Sequence, residues 1–136
     1  MRLALLVIPL LQVCISGCDQ QTNSPSANSS SANSGSDRQQ IVTHCAALVS
    51  QNQFQEGAAC LQPFEQDAKP DLQTAEAAFQ LAQLYESGRG VTADLDHAVR
   101  LYRLAGGLKA VAPDISQQAS VAATKLINKM RQAEEP

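Results

Sequence analysis

The chain has 136 residues, enough for one small domain; 44% are hydrophobic, but only 4% are aromatic and none is Trp. A core of that make-up, rich in Ala and Leu, suits close-packed helices better than a sheet, which draws on β-branched and aromatic residues. The formal net charge of −3, with no basic stripe, excludes nucleic acid as a partner and leaves no electrostatic footprint for an anionic lipid surface.

Residues 1–17 read as a targeting segment, to be set aside before the fold is considered. Arg2 supplies a positive start, and the run from Leu3 to Leu11 supplies a short apolar stretch. That run falls well below the roughly 20 apolar residues of a membrane-spanning helix. It leads to Ile15–Ser16–Gly17–Cys18, a branched aliphatic residue and two small residues before a cysteine. This ending resembles the lipobox of bacterial lipoproteins, with Ile15 in place of the usual Leu. The resemblance implies a diacylglycerol thioether on Cys18, cleavage before it and acylation of the new N-terminus, with palmitate-type chains holding the protein to a membrane. Cys14 is the poorer candidate, because Val13 is too bulky for the cleavage position. The mature chain would carry nine basic and 13 acidic residues, a net charge of −4. Asp19, directly after the lipidated cysteine, resembles the enterobacterial signal for retention at the inner membrane, so an envelope location with the domain in the periplasm is expected and the leaflet stays open.

Residues 18–37 form the lipidated cysteine and a tether. Ser24 to Ser36 is a low-complexity run of Ser, Asn, Ala, Gly and one Pro with no periodic apolar positions, a composition that predicts disorder. Of the four cysteines, Cys14 leaves with the signal and Cys18 carries lipid, so Cys45 and Cys60 remain in an oxidising compartment. Ile41, Val42, Cys45, Leu48 and Val49 recur at helical spacing over 38–50. A second helical pattern follows over 54–67 through Ala58, Cys60, Leu61 and Phe64, with Pro63 set to kink or end it. The turn at 51–53 places the two cysteines opposite each other in an antiparallel hairpin. A structural disulfide is expected within a unit spanning 38–70, since a redox pair would favour Cys-x-x-Cys spacing.

Residues 71–106 carry a family resemblance. Ala75, Phe79, Leu81, Ala82, Leu84, Tyr85, Gly88, Gly90, Val91, Asp94, Ala98, Tyr102 and Ala105 stand in the order of a SEL-one-like repeat (SLR), the bacterial cousin of the tetratricopeptide repeat. Phe79 stands for the aromatic and Ala82 for a Gly of the pattern. The resemblance implies an all-α fold: a short right-handed array of helical hairpins, about five helices in all. Ala78, Leu81, Ala82 and Tyr85 would share the inner face of the repeat's first helix, answered by Ala98 and Ala105 from its second. Gly88 is placed to end the first helix in a left-handed conformation, Gly90 to allow the return, Val91 to plug the hairpin's end, and Asp94 to cap the second helix. Tyr102 would stack between helices. His97 falls where the family carries an exposed polar or basic residue, and His44 is equally lone, so no metal site and no cofactor are expected.

Past Ala105 the repeat pattern breaks. Residues 107–136 read as a loop and a capping helix, with Gly106 to Pro113 extended, Asp114 as N-cap and Gln117 three residues on. Ile115, Ala119, Ala122, Leu126 and Met130 line one face of that helix, as a cap closing a repeat array requires. No Ser-x-x-Lys, His-Glu-x-x-His, Gly-x-Ser-x-Gly or phosphate-binding glycine loop is present. The expected role is therefore non-catalytic: an adaptor that holds an envelope protein or peptide at the membrane through its lipid anchor. Two other readings stay open at this point, an immunity lipoprotein that neutralises a secreted toxin and an enzyme acting on the cell wall.

Overall fold

Helix boundaries in this chain follow from a handful of residues that start or stop a helix for identifiable reasons. The computed structural model describes residues 35–67 and 71–135, which form five helices and, within those residues, no strand. The signal segment, Cys18, Asp19 and the tether up to residue 34 lie outside the described residues. Helix α1 covers Gly35–Ser50, α2 Phe54–Glu65, α3 Leu72–Ser87, α4 Leu95–Gly107 and α5 Pro113–Glu134. The first helix thus takes in residues 35–37, which composition alone assigns to the tether. Asp37 in its first turn complements the positive end of the helix dipole.

Between α1 and α2 the chain reverses through Asn52, whose φ of 64° is one that asparagine tolerates better than most residues. Pro63 sits inside α2, and the helix ends two residues later at Glu65. Asp71 caps α3, its side chain accepting from the Thr74 backbone N–H. Gly88 terminates α3 at φ 66°, with its N–H donating to Leu84 O, and Asp94 caps α4 by accepting from the His97 N–H. The last connection departs from the sequence reading. Gly106 and Gly107 belong to α4, and α5 starts at Pro113, with Ala112 rather than Asp114 at the N-cap. Proline fits the first turn of a helix because its missing N–H would have no partner there. Gly106 remains helical for a packing reason: a Cβ on it would lie 2.9 Å from Ser120 Oγ on α5. The Ser116 hydroxyl closes the same contact by donating to Gly106 O.

Each helix packs on the next in sequence, while α1 also touches α3 and α3 touches α5. The odd-numbered helices therefore lie along one side of the array and α2 and α4 along the other. The core between them is built from small side chains. Ala77, Ala78, Leu81 and Ala82 of α3 are buried against Ala98, Leu101, Tyr102 and Ala105 of α4, and Ala119, Ala123 and Leu126 of α5 close the end. Cys45 and Cys60 form a disulfide with a Cα–Cα separation of 5.5 Å, fastening α1 to α2. Gly57 lies three residues before Cys60, where a Cβ would fall 2.6 Å from Val49 Cγ2, so α2 approaches α1 here too closely for a side chain.

Gly90 is the most constrained turn residue. Its φ is 71°, and a Cβ built on it would fall 2.2 Å from the Phe54 carbonyl carbon, inside the backbone that starts α2. The loop joining α3 to α4 is thereby pressed against the preceding hairpin, and Arg89 lies over the Phe54 ring at 5.4 Å. Replacing Gly90 by Ala is expected to cost about 3 kcal/mol or more in urea unfolding, whereas Gly107→Ala, with open space around its Cβ, should leave stability unchanged or raise it by about 1 kcal/mol. Reducing the Cys45–Cys60 bond, which spans 15 residues, should lower stability by about 3 kcal/mol; equal unfolding midpoints with and without reductant would show that the staple carries no load.

Candidate functional site

Three polar clusters stand out on this scaffold, and they differ in what they can do. The first centres on Arg38, which is buried with 6% exposure near the start of α1. Its guanidinium donates through Nη1 to Asp67 and through Nη2 to Asp71 Oδ1 at 3.2 Å and Thr74 Oγ1 at 3.1 Å. Nε lies 2.8 Å from Asp71 Oδ2, a charge contact in which the N–H points off the line to the oxygen. The Phe64 ring covers the guanidinium carbon at 5.0 Å. A guanidinium suits this place because its planar fork meets two carboxylates and an aromatic face at once. Burial works against the charge on Arg38, but its hydrogen bonds to Asp71 and Asp67 outweigh that and the pKa is raised. For Asp71, burial pushes the pKa up, and the Thr74 N–H, Arg38 and the Thr74 hydroxyl together pull it below the usual carboxylate range. Arg38 was not singled out from sequence, because nothing local to it distinguishes a surface arginine from one that reaches residues 29 and 33 positions away.

The second cluster joins α2 to α4. His97 is half-buried rather than exposed as the repeat resemblance implies: its ring stacks on Tyr85 at 4.3 Å, and its Nε2 lies 2.7 Å from Glu65 Oε1. Arg100 Nη2 is 3.1 Å from the other ring nitrogen. These contacts hold helices together and leave His97 with one carboxylate beside it. No group of three or more His, Cys, Asp or Glu among the described residues is placed to hold a metal ion.

The third is a surface rather than a knot. Along the side shared by α1, α3 and α5, a groove of about 440 Å³ is lined by Gln39 and Thr43 of α1, Glu76, Gln80 and Gln83 of α3, and Ile115 of α5. Helices α1 and α3 run parallel here, since Arg38 meets Asp71 and Thr74 while Gln73 Nε2 donates to Gln39 Oε1 at 2.8 Å. Gln39 Nε2 in turn lies 3.4 Å from Glu76 Oε2. Phe79 forms part of the groove's floor, and its ring meets Tyr102 edge-on at 5.7 Å. Seven residues beyond Phe79, and so on the same face of α3, Glu86 accepts from the Tyr102 hydroxyl at 2.7 Å. Burial, with the Glu86 carboxylate alongside, raises the pKa of that hydroxyl well above its ordinary value, so it stays a donor. Amide side chains offer a donor and an acceptor together, which matches the alternation of N–H and C=O along an extended peptide.

The residues singled out from sequence divide by position. Ala75, Leu81, Ala82, Leu84, Ala98, Tyr102 and Ala105 are buried in the core, while Phe79, Tyr85 and Val91 pack half-buried against it. Gly88, Gly90 and Asp94 shape the turn and caps between α3 and α4. None of these except Phe79 lines the groove, whose glutamines carry no periodic apolar signal and are invisible to a search for helix faces. Comparison of the chain with family models, curated proteins and solved structures finds no match.

The sign of the Asp71 shift sets a pH window. A carboxyl held below its usual range contributes stability that is fully present above about pH 4 and is lost as the pH falls through its lowered folded value. Asp71→Asn keeps a capping side chain but removes the charge, so it should cost about 1 kcal/mol at pH 7 and show a flatter loss of stability below about pH 4 than the parent. Arg38→Met, which strands two carboxylates that are about a quarter exposed, should cost about 2 kcal/mol. Denaturant melts of both variants across that pH range check the assignment.

Proposed function

We propose that this protein is a lipid-anchored bacterial envelope protein that acts as a non-catalytic adaptor, holding a peptide segment of another envelope protein on the side shared by α1, α3 and α5. The observation that carries the reading is the open groove on α1 and α3, where the Gln39 amide is held by Gln73 and Glu76 and the neighbouring Gln80 and Gln83 amides can meet a peptide backbone. The lipobox-like Ile15–Ser16–Gly17–Cys18 and the Ser/Asn-rich segment after it support an anchor and a spacer. So does the order of signature residues from Ala75 to Ala105, which resembles a repeat used for protein binding. A multiply acylated Cys18 would hold stably, because each buried methylene contributes about 0.8 kcal/mol and two or three chains are required for durable attachment. Confinement to a membrane would raise the local concentration of a partner in the same envelope, so a modest groove could suffice.

The test is capture from the envelope of the host bacterium by photo-crosslinking, with the reactive group at position 80 or 83. One dominant partner is expected from the lipidated protein, with recovery falling about tenfold in a Cys18→Ser chain and again in a Gln80→Arg, Gln83→Arg double variant whose melting temperature is unchanged. No enriched partner from the lipidated protein, or equal recovery by the double variant, would overturn the reading.

A further inference from the structure

The part of the open side between α3 and α5 differs in charge from the rest of the domain. Residues 35–88 hold seven carboxylates against Arg38 and Lys69, whereas residues 89–135 hold seven cations against five carboxylates. Two of those cations, Lys125 and Lys129, stand about one turn apart on α5 and line a cleft of about 810 Å³. Neither forms an ion pair among the described residues, and like charges four residues apart on a helix repel each other. An anion between them would relieve that repulsion.

The other groups of the cleft narrow the choice of anion. Glu86 lies in the same cleft, and its carboxylate already accepts from the Tyr102 hydroxyl. The Ser120 and Thr124 hydroxyls donate back to the carbonyls of Ser116 and Ser120, so their protons are engaged within α5. What the cleft offers outward is two ammonium groups and the amides of Asn128 and Gln132, above an apolar floor at Leu126 and beside Val121, which is 63% exposed. The paired donors and acceptors of the two amides suit the alternating N–H and C=O groups of a peptide backbone, which a lipid headgroup lacks.

We propose that the cleft between α3 and α5 seats an acidic peptide segment, with a carboxylate bridging Lys125 and Lys129 and an aliphatic neighbour resting on Val121. This rests on the adaptor reading and names the chemistry of its partner. Charge-assisted contacts to two ammonium groups give the affinity, and the amides of Asn128 and Gln132 take the adjoining backbone.

The experiment uses the full lipidated chain in detergent micelles and a fluorescein-labelled decapeptide alternating Glu and Leu, with its Gln-for-Glu counterpart as control. Anisotropy should show binding of the Glu peptide that weakens about tenfold in the Lys125→Glu, Lys129→Glu variant, falls with added salt, and exceeds binding of the Gln peptide by a similar factor. Both lysines are exposed and both replacements are good helix formers, so the variant should melt with the parent. Equal binding of the two peptides, or indifference to the charge reversal, overturns the proposal. Binding of dihexanoyl phosphatidylglycerol in place of the peptide, lost on charge reversal, overturns it in favour of a lipid headgroup. Envelope capture separates the two claims. A partner recovered equally by the parent and the charge-reversed variant leaves the adaptor standing and removes this cleft. No partner from the parent, with peptide binding intact, does the opposite.

Discussion

Among the described residues, ten of the 20 buried apolar positions are alanine. A methyl group buries little surface, so this core yields stability only if the helix backbones come close enough for those methyls to touch across the interface. Everything else in the domain serves that closeness. Gly57 removes the one Cβ that would hold α2 off Val49, Gly106 does the same for α5 at Ser120, and Gly90 lets a loop lie directly on the backbone of Phe54. Larger side chains occupy single, well-defined places: Leu61, Leu81, Leu101 and Leu126 are the largest that are fully enclosed. Such a core has little hydrophobic surplus, and the domain adds directional fasteners to it, a covalent one at Cys45–Cys60 and an ionic one at Arg38.

Those fasteners also keep the odd-numbered helices in register. The groove of glutamines depends on α1 standing parallel to α3 at a fixed height, and Arg38 sets that height by meeting Asp71 and Thr74. At the other end, the Tyr102 hydroxyl reaches between helices to Glu86 and orders the boundary of the lysine-lined cleft. The open side is therefore carried by the same contacts that hold the core, and its shape is set by the fold itself.

The five helices and the disulfide were legible in the sequence because they rest on short-range chemistry. Apolar residues recur at helical spacing, Gly88 and Asp94 bracket a turn, and two cysteines lie at similar distances from a reversal at residues 51–53. Errors collected where the deciding contact is distant in the chain. Gly106 and Gly107 look like a loop until Ser116 and Ser120 are seen to require a bare backbone opposite Gly106, and the start of α5 then moves to Pro113. Residues 35–37 share the tether's composition, yet they continue a helix secured one residue further on by Arg38. The groove and the cleft were hidden for a related reason. Gln39, Gln80, Lys125 and Lys129 are ordinary surface residues one at a time, and only the array sets them along one side.

Arg38 has a mechanical meaning as well. It lies three residues from the start of α1, the end through which the domain joins the preceding chain, and it grips α3 at Asp71 and Thr74 as well as the far end of its own hairpin at Phe64 and Asp67. Tension arriving through Gly35 would load the guanidinium first and pass into α3, instead of peeling α1 away turn by turn. Should that grip fail, the covalent bond at Cys45 stops the peeling after about ten residues, with α2 still attached. A domain fastened in this order can be pulled from its N-terminus while the α3–α5 side keeps its form.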